Sequence, residues 1–135
     1  HFRQVFFRLM EIRKSVELYH ISEDLSSKFL AAQGYNILCK NFRSDAGEID
    51  IIASDKDNLV FVEVKTRSRH SMKLALMSIS YTKRKRISLT AQRYITQNPD
   101  HVKQKTRFDV IVVFYYPETD SYKIEHLQDA FVPVF

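Results

Sequence analysis

The chain has little of several things. Its 135 residues include one cysteine, two glycines, three prolines and no tryptophan. A lone Cys39 excludes an internal disulfide and a cysteine-built zinc site. It also fits a reducing compartment, so a cytoplasmic location is expected. No apolar run reaches the roughly 20 residues that a membrane helix needs, and no membrane partner is expected. The first twenty residues, HFRQVFFRLMEIRKSVELYH, are apolar and basic but contain Glu11 and Glu17 and no small-residue cleavage site. They do not read as a signal peptide. The histidines at 1, 20, 70, 101 and 126 show no metal-ligand spacing, although His70 follows closely enough on Lys65 to approach it. There is no internal repeat, linker or low-complexity segment.

What is present describes a globular chain, with 44% hydrophobic and 13% aromatic residues. One domain is expected, long enough to bury a core unaided. The net charge of +5 is unevenly spread. Residues 64–107 carry twelve Lys or Arg and one acid, Asp100, whereas residues 108–135 carry five acids and one lysine. A basic segment of this kind is either a solvated surface or the footprint of a polyanion, nucleic acid above all.

Periodicity predicts an amphipathic helix over residues 1–21, partly outside the domain, with Phe2, Val5, Phe6, Leu9, Ile12, Val16 and Tyr19 at helical spacing. A second helix is predicted to start at Ser22 as N-cap and to end at Gly34. Strands are predicted at 35–43, 48–54 and 59–65, the last two joined by the turn formers DKDN. Residues 66–81 read as loop with a short helix. Thr82 is expected to cap a helix over 83–97 that Asn98-Pro99 ends. RFDVIVVFYY reads as a strand buried on both faces, and YKIEHL as the last strand. Residues 22–135 then form a single α/β domain, a mixed sheet flanked by helices.

The hairpin GEIDIIASDKDNLVFVEVKTR carries charge where strands usually carry none. Alternation puts Glu48, Asp50 and Ile52 on one face and Ile49 and Ile51 on the other, with Val60, Val62 and Val64 opposite the isoleucines. With the turn centred between Lys56 and Asp57, Ser54 pairs with Leu59, Ile52 with Phe61, Asp50 with Glu63 and Glu48 with Lys65. A shift by two residues would pair Asp50 with Lys65 instead. Opposed carboxylates destabilise a sheet unless a divalent cation lies between them, and Mg²⁺ commonly takes one or two carboxylates and several waters. The competing reading is an ordinary wet face.

Asp50, twelve residues, then Glu63-Val64-Lys65 resembles the split PD-(D/E)XK nuclease motif. GEIDIIA, FVEVKTR, RFDV and the closing DAF, spread over residues 22–131, resemble the YraN-like family, bacterial proteins predicted to be endonucleases distantly related to archaeal Holliday junction resolvases. The resemblance implies a restriction-endonuclease-like fold, a central mixed sheet with helices on both sides. It implies Asp50 and Glu63 as carboxylates for Mg²⁺ or Mn²⁺, Lys65 as the catalytic lysine, and Glu23 as a helical acid reaching the metal through water. It leaves Glu48 without a role. The chain departs from the family at Ser22, where glycine is frequent, and in the loop SRHSMKLALMSIS.

On this reading the Val64 carbonyl completes the metal shell, and Lys65 keeps its proton beside two carboxylates and acts electrostatically. Arg43, Arg67, Lys83 and Arg86 are the candidate phosphate contacts, the last two near a helix N-terminus. Tyr81 and Tyr94 either stack on bases or belong to the core. Arg107 and Asp109 read as a structural ion pair. The expected function is a metal-dependent nuclease acting on DNA rather than RNA, branched or otherwise structured, and cutting both strands would favour a homodimer. The alternative is a nucleic-acid-binding domain that keeps the nuclease fold and cuts nothing.

Overall fold

The computed structural model describes residues 2–68 and 71–135; His70, considered above as a neighbour of Lys65, lies outside the described residues. The element order is α1 (Phe2–Ala32), β1 (Asn36–Ser44), β2 (Gly47–Ser54), β3 (Asn58–Arg67), α2 (Met72–Met77), α3 (Tyr81–Gln97), a 3-10 turn at Pro99–His101, β4 (Lys105–Tyr116) and β5 (Ser121–Leu127). The five strands form one sheet in sequence order. All pairings are antiparallel except β3 with β4, which is parallel. A parallel pair needs a crossover, and the segment carrying α2 and α3 supplies it.

Helices cover both faces. Leu30 of α1 packs with Ile51, Ala53, Val60, Val62, Val64, Ile111 and Val113 on one face. On the other, Ile87, Ala91 and Tyr94 of α3 meet Ile49, Ile52, Leu59, Phe61 and Phe108, and Ala75 of α2 meets Val110, Val112 and Phe114. Strand β4 is thus buried on both sides, as its β-branched run predicts. The molecule is a mixed α/β fold with a five-stranded mixed sheet between helices, compatible with a restriction-endonuclease-like fold. Among the described residues no helix is long and apolar enough to cross a membrane.

The local chemistry explains most boundaries. Gly34 (φ 97°) ends α1: its amide bonds the Ala31 carbonyl, and the Tyr35 amide bonds that of Leu30, the paired bonds of a glycine-terminated helix. Asp55 Oδ1 accepts the amides of Asp57 and Asn58 and closes the β2–β3 turn, which fixes Ser54 opposite Leu59 and Ile52 opposite Phe61.

Three expectations need correction. Ser22 does not start a helix. With no glycine or proline between Phe2 and Ala32, α1 runs through it, and the buried Ser22 hydroxyl accepts a bond from Thr66 at 2.7 Å. Its first half does not bury its apolar stripe: Phe2, Val5, Phe6, Leu9, Ile12 and Val16 are all exposed. The cap of α3 is Ser80, which accepts the Lys83 amide at 3.1 Å, and Thr82 lies inside the first turn. Finally, Ile49 and Ile51 do not share a face, since Ile49 packs with Ile52 against α3 and Ile51 packs beneath α1. Opposite this break, Asn41 adopts φ 53° in β1, a left-handed conformation that asparagine tolerates better than most residues.

Candidate active site

The break sits where the hairpin's charges begin. The β2–β3 ladder runs from Ser54↔Leu59 to Ile51↔Val62 and goes no further. The expected pairs Asp50–Glu63 and Glu48–Lys65 therefore do not form in the ladder. Instead Asp50 Oδ2 accepts the Val64 amide at 2.7 Å, in the place of a partner strand's carbonyl. In an extended strand the amide and carbonyl of one residue point to the same neighbour, so the Val64 carbonyl faces the same gap.

The gap opens into a cleft of about 840 Å³ whose lining includes Glu48, Asp50, Glu63, Val64, Lys65, Arg67, Lys83 and Arg86. Gly47 lets α3 close over it. At φ +155°, an added Cβ would stand 3.3 Å from Arg86 Cβ and 3.4 Å from Thr90 Oγ1. Two sequence candidates lie elsewhere. Arg43 is exposed and bridges Glu48 at 3.4 Å. Glu23 is buried behind Asp50 and is not part of the lining.

Both central carboxylates are nearly inaccessible, Asp50 at 7% and Glu63 at 6% exposure. Burial, then repulsion from Glu63, pushes the Asp50 carboxyl up to about 7, against the hydrogen bonds from Tyr19 and the Val64 amide. Glu63 Oε1 is instead neutralised by two ammonium groups, Lys83 at 2.7 Å and Lys65 at 3.3 Å. Burial opposes the charge on Lys83, but Glu63 prevails and raises its pKa. Lys65 is pushed down by burial and by the adjacent Lys83. The charge on Lys65 is thus favoured less than the two carboxylates alone would imply, since burial and Lys83 both oppose it.

Two contributors were hidden in the sequence. Tyr19 donates its hydroxyl to Asp50 Oδ1 at 2.7 Å, and burial together with Glu23 and Asp50 drives its phenol far above the usual range. The apolar stripe disguises it; its position one turn before Glu23 was the available signal. Asn41 donates to Glu23 Oε2 at 3.0 Å, and Glu23 Oε1 is buried without a partner. Among the described residues, no three His, Cys, Asp or Glu side chains converge as a ready-made metal cage. The donor set is two carboxylates, the facing carbonyl and, behind them, an orphaned carboxylate oxygen. That set fits a cation that keeps several waters.

The other motif residues are structural. Arg107 grips Asp109 with two nitrogens at 2.8 and 2.9 Å, as the sequence predicts for this pair. Tyr94 is core, at 7% exposure, while Tyr81 is 59% exposed.

The pattern of the uncharacterised protein family UPF0102 matches residues 22–113. A Clostridium perfringens (strain ATCC 13124) protein named for that family is 39% identical over 127 residues, spanning 91% of this chain and 98% of its own. A Clostridium botulinum (strain 657) protein is 40% identical over 109 residues, spanning 81% and 89%. One from Caldanaerobacter subterraneus subsp. tengcongensis is 38% identical over 112 residues, spanning 82% and 91%. All carry the family name, the match covers most of the domain that bears the cleft, and the chain belongs to the UPF0102 family.

Proposed function

We propose that this chain is a metal-dependent nuclease that hydrolyses phosphodiester bonds in DNA at the Asp50–Glu63–Lys65 cleft, with Mg²⁺ or Mn²⁺ held by Asp50, Glu63 and the Val64 carbonyl. The observation that carries the reading is Asp50 itself. It is a buried carboxylate with its pKa raised to about 7, facing the open end of a β-ladder beside a second carboxylate. A structural acid would be given a cation by the protein; this one has a tyrosine and an amide. A bound divalent ion would supply charge neutralisation for the phosphate and a more acidic water.

The chain's own groups would do the rest. Tyr19 holds Asp50 in place from α1. Lys83 and Arg86, on the first turns of α3, with Arg67 at the end of β3, bind the phosphates. Lys65 orients the attacking water and offsets the charge that develops on the phosphate. The site would hydrolyse one strand at a time, so cutting both strands calls for a second copy of the chain. The test is nicking of plasmid and branched DNA with 5 mM Mg²⁺ or Mn²⁺. Asp50→Ala and Lys65→Ala should each lower turnover about 10²- to 10³-fold, and chelator should abolish it. Wild-type rates from both variants would overturn the proposal.

One observation favours a second reading. Glu63 already has two ammonium partners, so the cleft is in part neutralised without any metal. A nucleic-acid-binding domain that cuts nothing would be built this way. It predicts salt-sensitive DNA binding with a log–log slope of about −0.9 per phosphate neutralised, unchanged by Asp50→Ala, and no turnover with any divalent ion.

A further inference from the structure

The two walls of the cleft differ in kind. The wall from α3 presents Lys83 and Arg86 with the hydroxyls of Ser80 and Thr82, and the end of β3 adds Lys65 and Arg67. Arg67 is tied to Ser78 Oγ, at the end of α2, at 2.8 Å. The wall from α1 presents Ser15, Leu18 and Tyr19, and β4 adds Tyr115. Among the described residues, that second wall contributes no cation to the cleft lining; Arg8 lies further along α1, beside the acid Glu11, in the groove that continues past Ser15 and Tyr19.

Tyr115 has no part in the proposed chemistry. It pairs across the ladder with Tyr122, ring centroids 5.0 Å apart and planes tilted by 36°. Its hydroxyl donates to Asp120 Oδ1 at 2.9 Å. The ring is therefore held at its tip and backed on one side, yet it stays only half-buried and lines the cleft. Hairpin stabilisation accounts for the Tyr115–Tyr122 contact. It does not account for the ring reaching a cleft whose opposite wall is cationic.

A duplex offers phosphates along both of its strands and is clasped best by a cleft that is basic on both sides. A single strand offers phosphates on one side and unpaired bases on the other, which suits one basic wall and one aromatic wall. We infer that the cleft takes a single-stranded polynucleotide, its phosphates on the Lys83–Arg86 wall and one base stacked on Tyr115. As the substrate class of the proposed nuclease this rests on the reading above; as a binding mode it does not.

The test separates the two. Fluorescence anisotropy on the full chain in EDTA, where nothing is cut, would compare a labelled oligodeoxynucleotide of about 12 nucleotides, the same sequence as duplex, and its ribonucleotide counterpart. The single strand is expected to bind about tenfold tighter than the duplex, and the two single-stranded arms assign the sugar. Tyr115→Ala and Tyr115→Leu should each weaken single-strand binding about tenfold and leave duplex binding within about twofold, while Tyr115→Phe keeps wild-type affinity. The leucine variant retains apolar bulk without a stacking face, and melting curves verify that each variant folds. Equal or tighter duplex binding, or undiminished single-strand binding by the alanine and leucine variants, would overturn the inference. Nicking of duplex with no single-strand preference would leave the nuclease standing and remove this proposal; tight single-strand binding without cutting would do the reverse.

Discussion

Two buried aspartates stand on opposite sides of β3, and the protein treats them differently. Asp109, on β4, is fully buried and fully supplied. Arg107 bonds both its oxygens, His126 Nε2 lies 2.7 Å from Oδ2, and the Asp129 amide donates to Oδ1 at 3.0 Å. Burial alone would raise its pKa, but His126 and Arg107 outweigh burial and hold it below the usual carboxylate range. Asp50, on β2, is almost as buried, but among the described residues its bonds come from Tyr19 and the Val64 amide and not from a cation, and two further acids lie nearby. The same residue type is thus finished in one place and left wanting in the other. Asp109 has the environment of a fastener, fixing the chain after β5 to the sheet, and Asp50 that of a ligand.

The comparison can be broken most forcefully at Asp109. Asp109→Ala should cost about 3–5 kcal/mol, because it strands the half-buried Arg107 guanidinium and leaves the Asp129 amide without its acceptor; urea unfolding measures this, and a loss below 1 kcal/mol would remove the contrast. Next in size is the response to metal. At about 100 times its dissociation constant, Mn²⁺ should stabilise the wild type by about 2.7 kcal/mol and Asp50→Asn hardly at all, read from melting curves with and without the ion.

The sign of the pH dependence sharpens the contrast. Asp50 has a raised folded pKa, so the folded state binds more protons than the unfolded between about pH 4 and 7, and stability falls across that window. Asp50→Asn should therefore be more stable than wild type at pH 8, by roughly 1–3 kcal/mol, with the gain gone below about pH 4. Asp109, with its lowered pKa, contributes stability above the unfolded value that is lost as pH falls through the folded one. The smallest effect belongs to Tyr19. Tyr19→Phe removes one bond to Asp50 and should cost about 1 kcal/mol while pushing the Asp50 carboxyl still higher, visible in a carboxyl NMR titration.

Much of this was legible in the chain. The turn chemistry of Asp55 and Asn58 set the hairpin register, and the β-branched run of β4 announced its double burial. Strand alternation brought the right charges to one place, because Asp50 and Glu63 flank the same turn. It erred in assuming that the ladder continues. Nothing local to GEID reveals that Asn41, nine residues away on another strand, adopts a left-handed conformation and that Ile49 changes sides. The basic run KRKR announced a cationic surface, but only the crossover from β3 to β4 decides that Lys83 meets Glu63 while its neighbour Arg84 turns away with a buried, unpartnered Nε. Asn41 was invisible for the same reason, since it acts through Glu23, eighteen residues away, and its residue type does not mark it out.

Gly47 has a wider consequence. The spacing between the floor of the cleft and its basic side is set by an atom that is not there. A methyl group at this position would press on the backbone-proximal part of Arg86, which cannot swing aside as a side-chain tip could. The helix would have to give by a few tenths of an ångström, and Lys83 and Arg86 would shift with it. A lesion at a residue with no functional group would then mistune the distance between ammonium and carboxylate, and a damaged chain could keep every side chain of the cleft and still be out of gauge.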